Sequence, residues 1–198
     1  MNELFPYLGV VSSIWLVVGV IWAGSLYSGY SHSRQFCSEL GATGAPTQKI
    51  SPLINNYPLG ILFVLFGWYV LSLKNDQTHL VVVGGAVILH GIGTWLAGVF
   101  PMDKDPYTKN PSVSGKIHAL SGLIMFVSLA VAPIAVASSS SYALTFRIFS
   151  ILCVIAAVIP LLVMGKSENA REKPGLYQRI SYGVQLVWLS CFSLLLAW

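Results

Sequence analysis

Apolar residues along this chain gather into six long runs separated by polar stretches, with no sustained period-two alternation. The runs cover residues 5–27, 57–73, 80–100, 117–137, 144–164 and 180–198. Each has roughly the 17 to 23 residues needed to cross about 30 Å of hydrocarbon as a helix. A backbone in lipid must satisfy its own hydrogen bonds, and the strand-length alternation of a closed barrel is absent, so the runs are predicted as helices. The expected fold is all-α, a polytopic integral membrane protein with six transmembrane helices in one bundle and a single domain over residues 1–198. Tyr7, Trp68, Tyr69, Tyr142, Tyr182 and Trp198 fall near run ends, where an aromatic belt is expected.

Composition sharpens this picture. Hydrophobic residues make up 55% of the chain and charged residues only 9%, far below the roughly 25% of a soluble domain. That balance excludes nucleic-acid binding and most soluble enzyme classes. The first run lacks a basic leader region and is read as a retained span. Cys37, Cys153 and Cys191 are too few and too scattered for a disulfide framework, and none forms a CxxC pair.

The few charges are unevenly placed. Loops two and four (74–79 and 138–143) are short, whereas loops one, three and five are long and polar. Of the 11 Lys and Arg residues, all but Lys74 and Arg147 lie on the long-loop side. By the positive-inside rule this predicts cytoplasmic long loops and external termini, in a bacterial inner membrane. Basic groups on one face also suit anionic lipid headgroups. Membrane lipids are therefore the expected partners, and the oligomeric state is not legible.

Within the runs, Gly84, Gly91 and Gly98 recur every seven residues and share one helix face, which predicts close packing of a neighbouring helix. Pro133 and Pro160 are expected to kink the fourth and fifth helices. His90 sits mid-run and reads as a hydrogen-bonded packing residue. His118 lies near the long-loop interface, so the two are separated by ~15 Å in depth and cannot clamp one haem iron.

Four stretches have a familiar order: Ser38-Glu39-Leu40-Gly41 with Gly44-Ala45-Pro46; Gly98-Val99-Phe100-Pro101-Met102-Asp103; Gly115-Lys116-Ile117-His118; and Gly175-Leu176-Tyr177-Gln178-Arg179. Together they resemble the domain-of-unknown-function 998 family of six-span prokaryotic membrane proteins, across essentially the whole chain. More distantly, the first and third are similar to eukaryotic autophagy-modulator and GPI-lipid-remodelling membrane proteins, although Glu39 stands where that group has Asp. The resemblance implies architecture and a residue shortlist without a reaction.

The residues alone yield the same shortlist. Glu39, Asp103, His118 and Arg179 all lie at run ends on one membrane face, and ionisable groups at membrane depth point to function. One reading is a divalent-metal site with Glu39, Asp103 and His118 as ligands and His32 as a fourth. Another is metal-free: Glu39 or His118 as general base, Asp103 orienting the histidine, and Ser38, Lys116 and Arg179 holding the headgroup. Each residue also has a bland reading: Asp103 as a turn cap, Ser38 as a helix N-cap with Glu39 in the first turn, His118 as a hydrogen-bonded interfacial residue, Arg179 snorkelling. The expected function is recognition or processing of a lipid headgroup, by hydrolysis or acyl transfer if the protein is an enzyme. The alternatives are a carrier using His90, Thr94 and Gln185, and a non-enzymatic accessory subunit.

Overall fold

The computed structural model describes residues 3–73, 77–166 and 172–198. Among these residues six helical stretches are long and apolar enough to span a bilayer, and no strand occurs. The protein is an integral membrane protein with an all-helical fold. Among the described residues seven α-helices build it: α1 Leu8–Ser25, the short α2 Ile50–Ile54, α3 Asn56–Ser72, α4 Thr78–Val99, α5 Val113–Ser138, α6 Leu144–Lys166 and α7 Pro174–Leu195. Helix α2 runs into α3 with a break at Asn55, so together they form the second span.

Three helices begin earlier than their apolar runs. The second span starts at Ile50, α5 at Val113 and α7 at Pro174. In α5 the reason is a cap: the Ser112 hydroxyl accepts from the Gly115 amide at 3.0 Å. In α7 it is Pro174 in the first turn, where a missing N–H costs nothing. Polar first turns hide from hydropathy, so His118 lies in the second turn of its helix rather than at its first residues, and Arg179 lies inside a helix rather than just before it.

The bundle is arranged by small residues. Helix α1 turns Gly9, Ser12, Ser13, Gly19, Ala23 and Gly24 inward, and leaves Ile14, Val18, Ile21 and Trp22 on the outer surface. That is the reverse of a soluble helix, because lipid already solvates large apolar side chains while small ones permit close approach. Helices α3 and α4 pack most closely, α4 continues onto α5, α6 lies along α7, and α1 closes the bundle against α3 and α7. All three predicted glycines face α3: Gly84 meets the Gly67 carbonyl and Leu71, Gly91 meets the Gly60 carbonyl and Val64, and Gly98 meets Asn56 and Tyr57.

The core holds Phe63, Phe66, Leu129, Trp188, Leu189 and Phe192, each fully buried. Hydrogen bonds tie helices at depth: Trp188 Nε1 donates to Ser150 Oγ at 2.9 Å and Ser181 Oγ donates to the Ala157 carbonyl at 2.6 Å. Two aromatic-belt assignments are corrected. Tyr69 is buried in the core, and Tyr182 stands in the third turn of α7 with its hydroxyl 2.8 Å from His90. The early start of α7 carries Tyr182 away from the interface. Lys74 and Arg171, two of the basic residues counted by side, lie outside the described residues.

Candidate functional site

Loop one is folded, and its fold is set by Arg179. The guanidinium, on the second turn of α7, donates from Nη1 to the carbonyls of His32, Gln35 (2.9 Å) and Gly175 (3.0 Å). Its Nη2 donates to the Tyr30 hydroxyl at 2.6 Å and to His32 Nδ1 at 3.3 Å, so Nδ1 must carry a lone pair. Burial and the adjacent guanidinium both hold the His32 imidazole below its ordinary value. Burial pushes the Tyr30 phenol up to about 12, against the pull of Arg179.

The carboxylate of Glu39 is used locally. Its Oε1 accepts from the Phe36 amide at 2.8 Å and its Oε2 from Gln35 Nε2 at 3.0 Å, in the first turn of a 3-10 helix, Cys37–Gly41. Ser38 therefore sits inside this turn rather than capping it. Gln178, one residue before Arg179, accepts from the Cys37 amide at 2.8 Å and pins the turn to α7. The Cys37 thiol is pushed up by burial, with Arg179 acting in the opposite sense, so it is held as the thiol.

Asp103 and His118 form a second group. Asp103 Oδ2 accepts from the Ser112 amide at 3.0 Å, placing a carboxylate at the N-terminus of α5, where the helix dipole favours it. His118 Nδ1 lies 3.1 Å from the Ala97 carbonyl and 2.9 Å from the Phe100 carbonyl. Carbonyls only accept, so Nδ1 carries a proton, which leaves the lone pair of the neutral ring on Nε2. The end of α4, and not Asp103, orients this ring. The Thr43 amide donates to the Met102 carbonyl at 2.9 Å, joining loop one to loop three.

A cavity of about 410 Å³ lies beneath these loops and between the helices. Of the residues expected to form the headgroup or metal site, Ser38 and His118 line it and Glu39, Asp103, Lys116, Arg179 and His32 do not; Thr94 and Gln185, named for the carrier alternative, line it as well, and His90 does not. The same placement does not bring the four expected metal ligands together. Among the described residues, no three His, Cys, Asp or Glu side chains are grouped to hold an ion. The four proposed ligands divide between two groups of loops, and Glu39, Asp103 and His118 use polar atoms to brace backbone.

The wall contains residues that the sequence did not single out as one set. Asn55 and Asn56 come from the α2–α3 break, Thr94 from α4, and Gln178, Ser181, Tyr182 and Gln185 from a single face of α7. Their spacing of three, four and seven along α7 is helical periodicity in polar residues, the one signal that marked them. Leu123, also on the wall, is 58% exposed on the apolar outer surface. The cavity thus reaches the face that lipid covers.

Residues 10–195 match the family described as a protein of unknown function (DUF998). The chain belongs to this family. No curated protein and no solved structure matches the chain. The DUF998 match spans every helix that contributes to the cavity and both loop groups above it, so the whole site lies within the family's matched region.

Proposed function

We propose that this DUF998 protein binds a membrane amphiphile in the cavity beneath loops one and three. The observation that carries the reading is the mixed wall of a roughly 410 Å³ cavity inside an apolar bundle, within the volume range of ligand pockets. Leu16, Leu59, Leu123 and Phe126 supply a surface for hydrocarbon, while Ser38, His118 and the polar face of α7 supply partners for a headgroup. The exposed flank at Leu123 supports entry from the bilayer. The headgroup then lies on the long-loop side, which the Lys and Arg distribution assigns to the cytoplasmic face of a bacterial inner membrane.

A second reading adds catalysis at the same place. It rests on His118, which lines the cavity and whose Nδ1 is tied to two carbonyls, so that the neutral ring offers its lone pair at Nε2, the arrangement of a general base for hydrolysis or acyl transfer.

One experiment addresses both. A Cβ on Gly122, a cavity-lining residue, meets no atom within 4 Å, so a side chain can leave the backbone there unobstructed, and Gly122→Trp is the variant chosen to fill the cavity. Native mass spectrometry of the purified protein, incubated with a lipid panel, is expected to show one bound lipid class in the wild type. Gly122→Trp is expected to reduce its occupancy about tenfold or more at unchanged melting temperature. Equal occupancy in both proteins removes the cavity as the site. Turnover in that panel that persists in His118→Ala removes the catalytic reading and leaves the binding reading standing.

A further inference from the structure

The polar groups deep in the cavity have their protons committed elsewhere. Thr94 Oγ1 donates to the His90 carbonyl at 2.8 Å, and Ser181 Oγ donates to the Ala157 carbonyl. His90 is fully buried and places Nδ1 2.9 Å from the Met125 carbonyl, so Nδ1 carries the proton. A second ring proton would make a buried charge with no carboxylate beside it. Nε2 is therefore an acceptor, and the Tyr182 hydroxyl, 2.8 Å away, must donate to it. Gln185 turns Nε2 to the Phe126 carbonyl at 3.0 Å, and its Oε1 is buried with no hydrogen-bond partner among the described residues. His118, as the neutral ring with its proton on Nδ1, adds the lone pair of Nε2. Thr94, Ser181, Tyr182, Gln185 and His118 thus show the cavity acceptors.

Among the described residues, the wall has no Lys, Arg, Asp or Glu side chain. A phosphate would bring acceptor oxygens against acceptors and carry a negative charge with nothing opposite it. Arg179, the nearest cation on α7, is absent from the wall and already serves Tyr30, His32, Gln35 and Gly175. An ammonium would donate, but would leave a positive charge unpaired in a low-dielectric setting. A hydroxyl donates without charge, and its own oxygen can accept from Ser38 or from the side-chain amide of Gln178 on the same wall.

We infer that the amphiphile's head is an uncharged hydroxyl-bearing group, held by the acceptor-lined floor that Thr94, Tyr182 and Gln185 build. This rests on the reading of the cavity as the binding site and names the ligand class that it takes. The headgroup expected from the basic loops was anionic; the cavity floor selects against one.

The test compares three probes that share a tail: hexadecanol, hexadecylamine and hexadecyl phosphate, titrated into the wild type, Thr94→Val, Tyr182→Phe and Gly122→Trp in detergent micelles, with Kd read by native mass spectrometry. Hexadecanol is expected to bind the wild type at least about tenfold more tightly than either charged probe. Thr94→Val and Tyr182→Phe are each expected to weaken hexadecanol about tenfold and to leave the phosphate unchanged. Thr94→Val is nearly isosteric, so it keeps the test valid if Tyr182→Phe disturbs His90. If the phosphate or the amine binds more tightly and Gly122→Trp abolishes that binding, the cavity remains the site and the hydroxyl class is wrong. If Gly122→Trp binds every probe as the wild type does, the cavity reading fails and the inference falls with it.

Discussion

Arg179 shows how a single residue can look like a ligand-binding group and serve as architecture. A guanidinium has five donors in a fixed fork, and loop one offers carbonyls that would otherwise be unsatisfied near the membrane surface. The result is a loop stapled to α7 through Tyr30, His32 and Gln35. His32 gives this staple a pH dependence. Its folded-state pKa is lowered, first by burial and then by Arg179, so between that value and the ordinary 6.5 the unfolded loop binds more protons than the docked one. Docking is complete above 6.5 and weakens as pH falls through that window. Hydrogen exchange of residues 30–41, corrected for intrinsic rates, is expected to quicken between about pH 7.5 and about pH 5.5, and His32→Gln is expected to flatten the dependence. An unchanged pH profile in His32→Gln would assign the effect to another group. The sequence marked Arg179, Glu39 and Asp103 as unusual charges at run ends. It could not say that Arg179 is taken up by Tyr30, His32 and Gln35, because those partners lie far from it in the chain, nor that Glu39 turns back on the Phe36 amide, which depends on the local turn.

At the scale of the element, glycine placement decides which helices touch. On α4 a Cβ at Gly91 would come 2.9 Å from the Gly60 carbonyl oxygen, and one at Gly84 would come 2.8 Å from the Gly67 carbonyl oxygen. Backbone cannot move aside as a flexible side chain can, so Gly91→Ala is expected to destabilise the α3–α4 pair by about 1–3 kcal/mol. Gly85, one residue from Gly84, would meet nothing within 4 Å, and Gly85→Ala is expected to be neutral or slightly stabilising through helix propensity. Thermal unfolding in detergent, followed by tryptophan fluorescence, compares the two; equal midpoints would mean that the close approach does not limit packing. The seven-residue glycine spacing was visible in the sequence because helical geometry fixes which positions share a face. The starts of α5 and α7 were not, since Ser112 and Pro174 act through capping and φ restriction while hydropathy averages over both.

For the whole molecule, the charge asymmetry and the cavity share one side. The proposed orientation predicts that, in a chain with its three native cysteines replaced, Ser140→Cys in loop four reacts with a membrane-impermeant maleimide in intact cells. Asn110→Cys in loop three should react only after lysis; the opposite pattern would invert the topology and place the headgroup end of the cavity outside. The membrane class, the all-helical fold and six spans follow from composition and run length, because the cost of an unpaired backbone in lipid leaves few other structures. Family membership was legible for a different reason, the order of four short motifs along the chain. The site was legible only in part. Ser38 and His118 were on the shortlist and line the cavity, whereas Glu39, Asp103, Lys116 and Arg179 attracted notice by their charge and stand away from its wall. Tyr182, Gln185 and Thr94 carry no charge, and what each presents to the cavity depends on where its proton goes. That is settled by His90, Phe126 and the turns of neighbouring helices, which only the folded bundle brings within hydrogen-bonding distance.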